Sequence, residues 1–191
     1  MRWPFLILAL LAFLPADAEE TVIAGLSQNQ ISITTDFDGS EIFIYGAIKR
    51  FSPPPDTPLN VAVVVIGPSK PVVVRRKVRR YGVWINDDGV TVDSAPSFYA
   101  IATSGPFNEV ISHTANLRYR IGLDYAVRLI GNTTDKVYPA DYREAVIRLN
   151  KKRGLYVEHD TTVTITDETL FQTRVRLPAQ LVEGDYRTRI F

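Results

Sequence analysis

Leu170-Phe-Gln-Thr-Arg-Val-Arg-Leu177, then Pro178-Ala-Gln-Leu181-Val-Glu-Gly184-Asp-Tyr186, is the stretch that decides the fold. Its first part reads as a β-strand, rich in residues that suit a half-buried pleated surface. Its second part has the spacing Leu-x-x-Gly-x-Tyr of a tyrosine corner. In Ig-like β-sandwiches, the tyrosine opening strand F returns its hydroxyl to the backbone a few residues upstream. Leu181, Gly184 and Tyr186 are therefore candidate structural residues, with a plain turn and an exposed tyrosine as the alternative. Leu170–Leu177 takes the place of strand E and Tyr186–Phe191 that of strand F. A strand G should then follow. None does before Phe191, so the last strand of the sandwich is expected to lie beyond it, covering an edge that would otherwise be unpaired.

Working outward, most of the chain before this stretch has strand character. Ile31-Ser-Ile-Thr-Thr35 alternates apolar and polar residues, and Glu41–Lys49 is β-branched and aromatic. The four prolines within 51–58 cannot continue a ladder, so that segment reads as a loop. Asn60-Val-Ala-Val-Val-Val-Ile66 has the continuous apolar pattern of a strand covered on both faces. Pro71–Val78 follows a Gly67-Pro68-Ser69 turn. Three shorter strands, Val83–Ile85, Val90–Val92 and Ser97–Thr103, are separated by turn signals at Asp87-Asp-Gly89 and Ser94-Ala-Pro96. Strands return at Thr161–Ile165.

Between them, about 106–154 reads as a helical insertion. Asn108 is a candidate cap, and Leu117, Ile121 and Tyr125 recur at helical spacing, weakened by Gly122 and Asp124. Tyr142, Ala145, Val146 and Leu149 predict a helix over 140–153. Pro139 stands at its first position, and Gly154 follows its end. The insertion interrupts the strands rather than alternating with them, which argues for a mainly β sandwich over a parallel α/β sheet. A two-domain split near 105 is the alternative.

At the amino terminus, Arg2 precedes the apolar run Phe5–Leu14, and Pro15-Ala-Asp-Ala18 closes it. This order predicts a signal peptide over 1–18, leaving 19–191 as an exported domain. The run is too short to span a bilayer. The net charge of +1 gives no reason to expect a nucleic-acid partner. Cysteine is absent, which excludes disulfides, thiol catalysis and thiolate metal sites, and leaves stability to an ordinary hydrophobic core.

Several separated blocks carry a resemblance. They are Ile23–Gln28, Phe37–Gly46, Val73–Lys77, Gly82–Asn86, Pro96–Tyr99, Arg143–Leu149 and Leu170–Pro178. Together they resemble the putative transmembrane protein family of alphaproteobacteria, an uncharacterised family. The resemblance implies an exported domain followed by one carboxy-terminal membrane helix, which is absent from the chain up to Phe191. It implies no catalytic residues.

Few constellations point to chemistry. His113 and His159, with Glu109 or Asp160, are the only candidates for a zinc site; Glu109 and His113 are spaced to share a helical face. His159 and Asp160, as neighbours on a strand, would point to opposite faces. None of Ser27, Ser40, Ser69 and Ser104 stands in a Gly-x-Ser-x-Gly elbow. The acid pairs Asp36 and Asp38, Asp87 and Asp88, and Asp167 and Glu168 border strands, where acids form turns.

The strongest local charge feature is Arg75-Arg-Lys-Val-Arg-Arg80. On a strand, Arg75, Lys77 and Arg79 face one way, with Val72, Val74 and Val78 on the other side, interrupted by Arg76. It reads as a solvated or charge-protected strand. Its functional reading, with Arg80, is contact with anionic lipid or polysaccharide, which the insertion's cations would extend if it folds over them. Trp84, Tyr81 and Tyr99 read as buried sandwich aromatics, with a sugar-stacking platform as the alternative.

The sequence thus predicts an exported, membrane-anchored envelope protein on the periplasmic side of the inner membrane. Its expected role is non-catalytic: an accessory or protein-interaction domain with envelope or inner-membrane proteins as partners and no cofactor. A binding module for an anionic surface is the first alternative, and a metal-dependent hydrolase the second. No small-molecule ligand is indicated.

Overall fold

The computed structural model describes residues 21–28, 37–50, 58–129 and 139–191. The strand expected at Ile31–Thr35 and most of the 51–58 loop lie outside them.

Strands predominate. In chain order they are β1 (Thr21–Leu26), β2 (Gly39–Lys49), β3 (Ala62–Ile66), β4 (Ser69–Arg80), β5 (Val83–Pro96), β6 (Tyr99–Thr103), β7 (Tyr156–His159), β8 (Thr164–Thr166), β9 (Leu170–Pro178) and β10 (Arg187–Ile190). Four helices, α1 (Phe107–Val110), α2 (His113–Tyr119), α3 (Leu123–Ala126) and α4 (Pro139–Lys152), stand between β6 and β7. The fold is mainly β, with the helices confined to the segment where the period changes.

Two four-stranded sheets form the body, in the orders β1-β2-β9-β8 and β10-β3-β6-β7; β4 and β5 pair only with each other. The first order is compatible with strands A-B-E-D of an Ig-like sandwich, and β10-β3-β6 with F-C-C′. On the first sheet, Ile42, Ile44 and Ile48 of β2 and Phe171, Val175 and Leu177 of β9 point inward. They meet Val61, Val63, Val65, Phe98, Ala100 and Ala102 from the second sheet. Phe171 lies opposite Gly46, where a β-carbon would stand 2.5 Å from the ring, so a glycine is required there.

The opposite face of the second sheet is covered too. Ala62, Val64, Tyr99 and Ile101 pack with Ile111, Ile121, Leu123, Val127, Val146 and Ile147 of the insertion. This is why Asn60–Ile66 carries no polar alternation: the strand inside it has a core on each side. Two tyrosine hydroxyls lock this second core, Tyr99 donating to the Ile121 carbonyl and Tyr156 to that of Pro96, each at 2.7 Å. Burial pushes the Tyr99 hydroxyl up to about 12, an effect only partly offset by Arg189. It raises that of Tyr156 as well.

Tyr186 donates its hydroxyl to the Val182 carbonyl at 2.7 Å, Leu181 is buried in the first core, and Gly184 takes φ +144°. Among the described residues, β10 pairs on one side only, with β3.

The insertion differs from expectation in its middle. No single helix carries Leu117, Ile121 and Tyr125: α2 ends at Arg120 in the left-handed region, and α3 is a single turn after Gly122. Asn108 lies inside α1 rather than before it; Ser112 caps α2, its hydroxyl accepting from the Ala115 N–H at 3.2 Å. The predicted helix over 140–153 is present as α4, and Gly154 follows with φ +71°. The crossover then delivers β7 parallel to β6, a pairing the strand-only reading did not provide for.

The largest correction concerns 83–96. The signals at Asp87-Asp-Gly89 and Ser94-Ala-Pro96 are not chain reversals. One strand, β5, runs through both and pairs with β4 along its length.

Candidate functional site

β4 and β5 form a two-stranded hairpin of 12 and 14 residues. Its turn is Tyr81-Gly82, with φ +50° and +83°. Two successive positive φ values are what a two-residue hairpin matching the right-handed strand twist needs, and the second falls on glycine. The Arg79 guanidinium braces the turn, its Nε donating to the Gly82 carbonyl at 3.3 Å.

The acidic and polar residues that suggested turns are accommodated as bulges. Between the pairs Arg75–Gly89 and Lys77–Asn86, β5 has one residue more than β4, and the same happens between Lys70–Ala95 and Val72–Val92. Each bulge bends the ribbon and increases its twist. At the second, Ser94 and Arg128 exchange backbone hydrogen bonds of 3.1 and 2.8 Å, tying the base of the hairpin to the insertion. Val92 and Ala95 are buried there, and Val74 packs beside them. From Arg75 to Asn86 the hairpin leaves the body, and almost every described side chain is exposed.

The register fixes the faces. Arg75, Lys77 and Arg79 share one face, with Trp84 directly across from Arg79. Arg76, Val78 and Arg80 share the other, with Ile85 across from Val78 and Val83 across from Arg80. The predicted contact residues Arg75, Lys77, Arg79 and Arg80 are thus brought onto one element, but onto both its faces. Tyr81 is fully exposed at the apex, and Trp84 is 64% exposed.

This corrects the aromatic reading. Tyr81 and Trp84 are neither buried nor grouped with Tyr99, which lies in the second core at 2% exposure. The exposed apolar tip was missed because Val83-Trp-Ile85 looks like any core strand. The available signal was Tyr81-Gly82, a two-residue turn between two strand-forming runs, which makes a hairpin with nothing to cover its end.

The insertion does fold against the hairpin base. Arg75 and Arg153 line one groove of about 390 Å³ with Lys70, Val73 and Leu149. A second groove, about 640 Å³, lies on the outer face of the first sheet around Ile23, Gly25, Phe43, Tyr45, Leu170 and Gln172. Neither is lined by a carboxylate or a histidine.

The candidate zinc residues are separated. Glu109 is on α1 and His113 opens α2, so they share no helix face; His159 ends β7. Asp160 accepts a long 3.4 Å hydrogen bond from Thr103. Among the described residues, no three His, Asp or Glu side chains are grouped as metal ligands would be.

A family model described as "putative transmembrane protein" matches residues 21–191, both sheets, the insertion and the hairpin included. The chain belongs to that family. No curated protein and no solved structure matches it. Among the described residues of this family member, no helix is long and apolar enough to cross a membrane.

Proposed function

We propose that this protein is a non-catalytic interaction domain held at the periplasmic face of the inner membrane, and that it works by contact through the β4–β5 hairpin. One observation carries the reading. A braced two-stranded arm leaves the body, and it exposes cations and aromatic residues together. Strand edges and exposed apolar side chains are hazards that folds normally suppress, so a long arm presenting both is best accounted for by a partner.

The family's membrane description supports placement at a membrane, and the leader-like residues 1–18 support export. The non-catalytic part of the reading rests on the dispersal of His113, His159, Glu109 and Asp160, and on grooves lined without acid or histidine.

The reading is tested by photo-crosslinking in intact cells. A crosslinking side chain at Tyr81 or Trp84 is expected to give discrete membrane-fraction adducts. The same group at Glu168, in the turn between β8 and β9, is expected to give none. Equal labelling from all three positions would overturn the reading.

A further inference from the structure

We propose that the partner of the arm is an anionic lipid surface, and that the tip around Tyr81 and Trp84 seats in the headgroup layer. The inference rests on the arm being the contact element and goes further by naming what it contacts.

The distribution of side chains favours a membrane over a protein groove. A protein partner packs on one face of a ribbon. Here both faces of the tip carry the same mixture: Arg75, Lys77 and Arg79 with Trp84 on one, Arg76 and Arg80 with Val78, Val83 and Ile85 on the other. A partner covering either face would leave cations and apolar groups of the other in water. A leaflet surrounds the tip and satisfies both at once.

The order along the arm fits as well. Tyr81, Val83, Trp84 and Ile85, the exposed apolar groups, lie within about 10 Å of the turn at ~3.3 Å per residue. That matches the ~5–10 Å to which interfacial elements bury their apolar side. Tryptophan and tyrosine favour this depth because one end of each ring system is apolar and the other forms hydrogen bonds. Arg79 and Arg80, beside them, have stems long enough to hold their charge at phosphate level. Lys77, Arg76 and Arg75 follow behind. Residues 75–89 carry five cations against two carboxylates, Asp87 and Asp88, so the arm is attracted to an anionic surface while the whole chain stays near neutral.

The backbone sets a limit on depth. A two-stranded ribbon has an unpaired edge on each side, and unpaired N–H and C=O groups cannot enter hydrocarbon. The tip must therefore stop in the interface, where water and headgroups satisfy those edges.

The test uses residues 19–191, the chain without the leader-like segment, in which Trp84 is the sole indole. With vesicles containing phosphatidylglycerol, Trp84 emission should shift to the blue. Bromines near the top of the acyl chain should quench it more strongly than bromines near the end. Phosphatidylcholine vesicles should produce neither effect. Replacing Lys77 and Arg79 together by glutamine should weaken vesicle binding roughly thirtyfold, about fivefold for each cation. Trp84→Ser, followed by flotation, should weaken it roughly tenfold or more.

Binding to phosphatidylglycerol vesicles with Trp84 still in water would overturn the inference. So would deep quenching, or an undiminished affinity after the double charge removal. A Trp84 shift produced by a soluble anionic polysaccharide but not by vesicles would also overturn it, in favour of a polymer site. If Trp84 never meets lipid while positions 81 and 84 still crosslink to protein, the arm remains the contact element and only the lipid assignment falls. If both tests fail, both readings fall.

Discussion

Val63-Val-Val65 and Val72-Val-Val74 are the same tripeptide, nine residues further along the chain, and they are covered very differently. Val63 and Val64 are at 0% exposure, with Val65 barely more, while Val73 is 59% exposed and Val72 is partly so. Both are strands. The first lies between β10 and β6, with the opposite sheet on one face and the insertion on the other. The second has β5 as its only strand neighbour and no opposing sheet; of its three valines, Val74 packs beside the second core, and Val73 borders an open groove. Strand propensity is a property of the residues; burial is a property of what arrives to cover them.

The strongest way to break this comparison is a carboxylate placed in each strand. Val64→Asp puts a charge where neither water nor a partner reaches it, and the protein should fail to fold or lose several kcal/mol. Val73→Asp should stay within ~0.5 kcal/mol by urea denaturation, as surface changes do. A comparable loss at Val73 would mean that the groove it shares with Leu149 and Arg153 closes over it.

The second test uses pH. Tyr99 and Tyr156 are neutral in the fold, and burial holds both hydroxyls above their ordinary value of 10.0. Raised folded values mean that the unfolded chain releases these protons first. Their contribution is therefore intact below pH 10 and is lost as pH rises from 10 through about 12 for Tyr99. Each hydroxyl should add ~1.4 kcal/mol per pH unit to the slope in that window. Denaturation midpoints at pH 8, 10 and 11 would measure it, and Tyr99→Phe should make the slope shallower.

Smaller effects sharpen the picture. Tyr186→Phe removes the hydroxyl's bond to Val182 and should cost about 1 kcal/mol, since that bond is partly open to water. Gly82→Ala puts a β-carbon on a residue with φ +83°, at ~1–2 kcal/mol locally. That cost should fall on the arm alone: faster amide exchange from Arg75 to Asn86, with the melting temperature of the body nearly unchanged.

The legibility of the sequence follows the same division. β9 and α4 were readable because each lies on one boundary between core and water, and their periods of 2 and 3.6 record it. β3 was readable because two cores left it no polar residue. β1 passed unnoticed because an edge strand exposed along most of its length, with a glycine inside, bears neither signature. β7 passed because four residues are too few for a period. At the candidate site the cations and their faces were legible, since β4 is regular. The arm was not: Asp87-Asp-Gly89 has the composition of a turn, and only the register against β4 turns it into a bulge.

The pairing of β2 with β9 has a consequence in time. β2 meets β1 early, but its other neighbour is more than one hundred residues further along the chain. At synthesis rates of roughly 5–20 residues per second, that delay is at least about 5 s. Throughout it one full edge of β2 is open, although β3 and β6, which oppose its inner face, have already been made. Such a sheet is assembled from its two ends of the chain and closes last at its centre, which makes it slow by topology rather than by any single residue. The helical insertion, made between the two halves and rich in local contacts, has that interval in which to form its own turns before β9 arrives.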